Sequence, residues 1–207
     1  MLSLKNLSLN WQERAGWYQI DCDINPGDML HIQGDNGVGK STFLRLLAGL
    51  LPYQGHVYGF GETQNLHADS WRRMLFYMGD LPKSWQSYRV SDIVEMQKLL
   101  TEQTDLPSAQ NQLEKVGMQG TECIPWRMLS QGQKKKLLLL PLQWLKRKLW
   151  LLDEPFASLD APTTTWLLEV IKNHQACGGM ICITGHHSLD NTKTLELIQP
   201  RQGKYDR

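Results

Sequence analysis

The chain has 207 residues, a formal charge of +1 and 41% hydrophobic residues. That length suits one large domain or a core with an inserted lobe, with enough apolar material for a buried interior. Near neutrality removes any global electrostatic argument for nucleic acid or an anionic membrane as partner. No stretch approaches the roughly 20 apolar residues of a membrane-spanning helix, so any membrane role is expected to be peripheral.

Leu2, Leu4, Leu7 and Leu9 alternate imperfectly with polar residues and predict an extended first segment. This start has no basic region followed by an apolar core, so it does not read as a secretory signal, and the protein is expected to stay where it is made. Ile20, Cys22 and Ile24 alternate cleanly, and Asn25-Pro26-Gly27-Asp28 turns the chain. Met29 to Gln33 predicts a short strand. A helix is expected from Lys40 to about Leu50, with Phe43, Leu44, Leu46 and Leu47 on its apolar side. Glycines at 55, 59 and 61 punctuate a strand-and-turn region, Met74 to Met78 predicts another strand, and Asp80 to Tyr88 reads as irregular. Val90 to Lys115 reads as helical with a break near Pro107. Pro141 has no N–H to offer Leu137 and should bend or interrupt the helix around it. Leu149 to Leu152 is a continuous apolar strand, Thr163 to Lys172 a helix, and Met180 to Thr184 a further buried strand.

Cys22, Cys123, Cys177 and Cys182 show no C-x-x-C pairing and read as small buried residues in a reducing compartment. The eight tryptophans read mostly as packing. The runs Lys134-Lys135-Lys136 and Lys146-Arg147-Lys148 read as solvated helix faces.

Gly34-Asp35-Asn36-Gly37-Val38-Gly39-Lys40-Ser41-Thr42 fits G-x-x-x-x-G-K-[S/T]. Such a loop turns successive backbone N–H groups toward phosphate oxygens, with the following helix N-terminus adding to the attraction. Lys40 can reach the β- and γ-phosphates and Ser41 can ligate magnesium. An apolar strand before the motif and a helix after it supply the required context. The ligand is therefore expected to be a nucleoside phosphate with magnesium. Asp153 ends the strand Leu149 to Leu152 and is placed to help hold magnesium; Glu154 can orient or deprotonate the attacking water. Taken alone, an acidic pair after a strand can also be a simple cap.

With these two elements, Leu129-Ser130-Gln131-Gly132-Gln133, Leu152-Asp153-Glu154-Pro155, Ala157-Ser158-Leu159-Asp160 and Ile183-Thr184-Gly185-His186 follow in order. The chain resembles the ATP-binding cassette ATPases over nearly its whole length, with Gln131 where glycine is commoner. The resemblance implies an α/β fold of the P-loop NTPase class, a mixed β core with a helical subdomain at about 83–145, forming a single domain over 1–207. It implies ATP and Mg2+ as ligands and a head-to-tail homodimer in the ATP-bound state. Each nucleotide would lie between the phosphate loop of one copy and Ser130 to Gln133 of the other. Glu154 would be the catalytic base, His186 would contact the γ-phosphate, and Asp160 would connect the two sites. Trp11 falls where the family places an aromatic under adenine; Trp17, Tyr18 or simple core packing are alternatives. The family usually has a glutamine after the strand matching Met74 to Met78. Asp80 stands near that place as a further candidate magnesium ligand, with Gln86 another if the loop is displaced.

A closer resemblance is to the ATP-binding subunits of cytochrome c maturation systems, also named haem exporters. It is carried by Gly34 to Leu50, Met78-Gly79-Asp80-Leu81-Pro82, Met128 to Asp160 and the short end after His186. It implies a subunit on the cytoplasmic face of the inner membrane, joined to an integral membrane permease of that system. The six histidines form no C-x-x-C-H attachment motif, so direct haem binding is not expected, nor is nucleic-acid binding. An ATPase subunit for another transported substrate and a soluble ATP-dependent interaction module are the alternatives.

Overall fold

In a computed structural model of the chain, residues 1–9, 19–101, 107–185 and 192–197 are described. They pack as two units. The first comprises the described parts of Met1–Gly79, Arg147–Glu154 and Gln175–Arg207; the second comprises those of Asp80–Lys146 and Pro155–His174.

The first unit holds two sheets. Strands β1 (Leu2–Leu9), β2 (Ile20–Ile24), β4 (Tyr53–Gly59) and β5 (Glu62–Gln64) form an antiparallel sheet in the order β2-β1-β4-β5. Strands β3 (Met29–Gln33), β6 (Leu75–Met78), β7 (Leu149–Leu152), β8 (Met180–Thr184) and β9 (Lys193–Glu196) form a parallel sheet in the order β6-β7-β8-β3-β9. Every residue of β7 and β8 is buried, as continuous apolar runs require when both faces of a strand are covered. One core, including Leu4, Ile24, Ile32, Phe43, Trp71 and Leu151, lies within this unit.

Helix α1 (Lys40–Leu47) stops earlier than its apolar pattern suggests, because Gly49 takes a left-handed φ of 72°. The Trp71 indole N–H donates to the Leu47 carbonyl at 2.8 Å, which satisfies one of the acceptors left free by that stop. Trp71 belongs to α2 (Asp69–Met74), a six-residue helix that the sequence pattern does not reveal. Strand β9 is also unforeseen: three of its four residues are exposed or polar, as an edge strand tolerates. Of the cysteines, Cys182 is buried, Cys22 is half-buried, and Cys123 and Cys177 are exposed, which corrects the reading of all four as buried. Burial pushes both the Cys22 and Cys182 thiols up from their ordinary pKa, which keeps them protonated.

The second unit is helical: α3 (Val90–Leu100), α4 (Ala109–Glu114), α5 (Gln131–Leu139) and most of α6 (Ala161–Ala176). Its core includes Val90, Ile93, Leu113, Trp126, Leu137 and Leu140. Pro141 acts as the sequence suggests. The α-helical pattern of α5 ends at Leu139 and a 3-10 turn runs from Leu140 to Gln143. The Leu137 carbonyl, which Pro141 cannot serve, instead accepts a hydrogen bond from Gln97 Nε2 at 2.9 Å. Gln97 is buried on α3, so this bond replaces a missing helical one with a cross-link between helices. Removing Gln97 strands a buried carbonyl, so Gln97→Ala is expected to cost about 1–3 kcal/mol in urea unfolding. The loss should be smaller in a Pro141→Ala background, where the helix can supply its own N–H; additive losses in the double-mutant cycle would refute this account.

Candidate nucleotide site

The parallel order β7-β8-β3 brings the ends of three strands to one edge of the first unit, where open α/β sheets bind ligands. After β3 the chain enters the loop Gly34 to Gly39, in which Gly34, Gly37 and Gly39 have φ values of 138°, 80° and 107°. Side-chain-bearing residues rarely adopt these values, so the loop can wind tightly enough to turn its N–H groups one way. Val38 anchors it by burial in the core, and Val38 N–H donates to the Asp35 carbonyl at 3.2 Å. A Cβ on Gly34 would lie 2.5 Å from the carbonyl oxygen of Leu197, just beyond β9, so the unforeseen edge strand also bears on the loop. Gly39 is the N-cap of α1, which places Lys40, Ser41 and Thr42 in its first turn with no side chain capping them. Lys40 Nζ donates to the carbonyls of Gly34 at 2.8 Å and Asp35 at 3.0 Å. Asp35 and Asn36 are exposed beside it.

Asp153 and Glu154 follow β7. The Asp153 N–H continues the ladder to the Met78 carbonyl at 2.9 Å. Leu152 pairs with Ile183, so Asp153 comes next to Thr184 at the end of β8. The Thr184 hydroxyl donates to Asp153 Oδ1 at 2.6 Å and accepts the Glu154 N–H at 2.9 Å. Glu154 is exposed and has a left-handed φ of 46°. One residue beyond Thr184, the Gly185 carbonyl accepts from His31 Nε2 at 2.8 Å. Gln33 Nε2 lies 3.2 Å from His31 Nδ1, so the two partners select the tautomer with its hydrogen on Nε2. His31 is buried and stands out by no motif in the sequence, and Thr184 lies in the Ile183 to His186 segment without a role of its own. The signal available for Thr184 is a polar residue closing an otherwise apolar strand.

In the second unit, Ser130 is the N-cap of α5. Its Oγ accepts the Gln133 N–H at 3.2 Å, and Gln133 Oε1 accepts the Ser130 N–H at 2.9 Å. This reciprocal capping box explains why a serine and a glutamine stand three residues apart. Leu129 before it is buried, whereas Ser130 and Gln131 are exposed. Gly132 packs so closely that a Cβ there would lie 2.5 Å from the Ser158 carbonyl oxygen. Asp160 caps α6 by accepting the Thr163 N–H at 3.1 Å through Oδ1, while Oδ2 receives Lys136 Nζ at 2.7 Å. Lys136 is therefore buried and paired, which corrects the reading of its triplet as a wholly solvated face. Asp80 is exposed and belongs to this unit. Trp11, Trp17, Tyr18 and His186 lie outside the described residues.

The family model for ABC transporters matches residues 18–157. The chain belongs to the ATP-binding cassette ATPases. Cytochrome c biogenesis ATP-binding export protein CcmA from Dechloromonas aromatica is 35% identical over 192 residues, spanning 92% of this chain and 94% of that protein. The protein of the same name from Haemophilus influenzae is 32% identical over 95% of this chain and 93% of its own length. Among solved structures, the ATP-binding subunit of an ABC transporter superposes with a TM-score of 0.74 at 22% identity, covering 90% of this chain and 79% of that one. That likeness speaks for the fold.

A cassette ATPase binds ATP with magnesium, and the side chains at the strand edge suit that pair. Ser41 offers a hydroxyl and Asp153 a carboxylate, the hard oxygen donors magnesium takes beside phosphate. The loop offers N–H groups and Lys40. The cassette's second unit makes a separate electrostatic prediction. The hydrogen bond from Lys136, with that from Thr163, holds the Asp160 carboxyl below the ordinary aspartate range, at about 2. A depressed carboxylate contributes stability that is full above its unfolded value and lost as the pH falls through the folded one. The Lys136–Asp160 contribution should therefore vanish between roughly pH 4 and pH 2. Carboxyl titration by NMR should show Asp160 moved up toward the ordinary aspartate range in Lys136→Met, short of it because the Thr163 N–H remains; an unchanged titration would mean the ion pair does not hold the carboxyl down.

Proposed function

We propose that this ATPase energises a membrane complex of cytochrome c biogenesis, in the export of haem or its release to a carrier. The observation supporting this reading is the two-way coverage of relatives named for that process, at 29–36% identity across several species. The chain would act as a homodimer closed around ATP, peripheral to the cytoplasmic face of the inner membrane and joined to an integral membrane permease. No helix among the described residues is long and apolar enough to cross a membrane.

In this reading the N–H groups of Gly34 to Thr42 cradle the β- and γ-phosphates. Lys40 exchanges its two loop carbonyls for phosphate oxygens. Ser41 and Asp153 would hold magnesium, and the ion would neutralise charge on the phosphates. Glu154 accepts a proton as water attacks the γ-phosphorus, and the bond to the β–γ bridging oxygen breaks to give ADP and phosphate. Trp11 stacks on adenine and His186 contacts the γ-phosphate. Leu129 to Gln133 of a second copy closes the site, with Ser130 and the Gly132 backbone facing the γ-phosphate. Asp160 relates the two sites. Assembly completes the active constellation and hydrolysis relaxes it, which couples chemistry to movement of the permease.

Glu154→Gln removes the base and leaves the cradle. It should lower turnover by about 100-fold or more, retain ATP and elute as a dimer on size exclusion with MgATP. Turnover at the unmodified rate would remove Glu154 from this role. Lys40→Ala should instead weaken ATP binding in calorimetry. The biological assignment is checked by purifying the native complex from membranes and staining cells for covalently bound haem. A permease of cytochrome c maturation, and loss of c-type cytochromes on deletion, are expected. A permease for another cargo would overturn the assignment while leaving the ATPase intact.

A further inference from the structure

We propose that Thr184 is a positioning residue for the hydrolytic pair, aiming the Asp153 carboxylate and fixing the Glu154 peptide through one hydroxyl. This rests on the reading of Asp153 and Glu154 given above. A threonine hydroxyl has one hydrogen to give and lone pairs to receive with. Here the hydrogen goes to Asp153 Oδ1 at 2.6 Å and a lone pair takes the Glu154 N–H at 2.9 Å. The first is a charge-assisted bond, and it directs Oδ1 toward β8, leaving Oδ2 for other partners. The second holds the backbone of a residue in a conformation that non-glycine residues seldom adopt, φ 46°. Both adjacent acidic residues are thus oriented from a single atom.

That atom is itself held firmly. Thr184 is 1% exposed. It pairs with Ile32 on β3, and the preceding Ile183 pairs with Leu152 on β7. The next residue is tied by the bond from His31 to the Gly185 carbonyl. Strand β8 lies between the strand that leads into the phosphate loop and the strand that leads to Asp153. Its tip is thus a fixed reference against which the carboxylate is set. A valine would keep the shape of Thr184 and its β-branch but leave Asp153 free to rotate and the Glu154 N–H without its acceptor.

Thr184→Val, Thr184→Ser, Asp153→Asn and Glu154→Gln, made in the full chain, should be compared with the unmodified protein. ATP affinity is measured by calorimetry with and without Mg2+, and turnover at varied ATP. In Thr184→Val, ATP affinity without Mg2+ should stay within about two-fold, while the gain on adding Mg2+ shrinks and kcat falls about ten-fold or more at little change in KM. Thr184→Ser should recover most of both effects, since it restores the hydroxyl. If the valine variant melts within the assay range, Thr184→Ala takes its place. A folded Thr184→Val with a normal Mg2+ gain and normal kcat overturns the proposal. So does Thr184→Ser as impaired as Thr184→Val, because the methyl group would then be what matters. If Asp153→Asn and Glu154→Gln both turn over normally, the reading of the pair falls first and the role of Thr184 with it.

Discussion

The central strands of the parallel sheet are buried on both faces, so their N–H and C=O groups are satisfied by neighbouring strands. This constraint leaves little freedom in register. Once Leu149 is opposite Met180 and Leu152 opposite Ile183, the next residues, Asp153 and Thr184, are neighbours. Once Ile32 is opposite Thr184, Gln33, the last residue before the glycine loop, comes beside Gly185. The polar residues that follow these apolar runs are therefore gathered at one edge by backbone pairing alone. Side-chain chemistry then refines their positions, through the Thr184 hydroxyl on one side and the His31 ring on the other.

The second unit solves a different problem. Its helices must end where the residues between them are needed, and each end needs partners for its free backbone groups. Ser130 and Gln133 cap α5 at its start, and Asp160 caps α6. At the other end of α5, the proline break is made tolerable by Gln97. Ser130, proposed above to face nucleotide from a second copy, is thus also a helix cap, and Asp160 is another. Their local bonds hold them in place before any ligand arrives.

Much of this was readable from the chain. Strands β7 and β8 are short apolar runs and β3 one interrupted by His31, each followed by a glycine or an acidic residue, and α1 carries its four leucine and phenylalanine positions on one side. The phosphate loop and Asp153-Glu154 follow those elements directly, so their placement needed no long-range information. What escaped depends on partners distant in sequence. Strand β9 is polar and becomes a strand only because β3 has an open edge. Helix α2 is too short to show a period, and Trp71 matters because it meets Leu47. The Thr184–Asp153 bond joins residues 31 apart and requires the β7–β8 register to be known. Likewise the absent N–H of Pro141 is evident from sequence, but nothing local says that Gln97 compensates for it.

The fit of Gly132 against the Ser158 carbonyl has a mechanical consequence. With no room for even a methyl group between them, and with Lys136 joined to Asp160 a turn further on, the start of α5 and the approach to α6 have no slack. A push on one cannot be absorbed by side-chain rearrangement at that contact. It must be transmitted to the other, as through a stiff lever. The start of α5 and the segment that leads to Asp160 would in this way shift as one piece, without any intervening flexible joint.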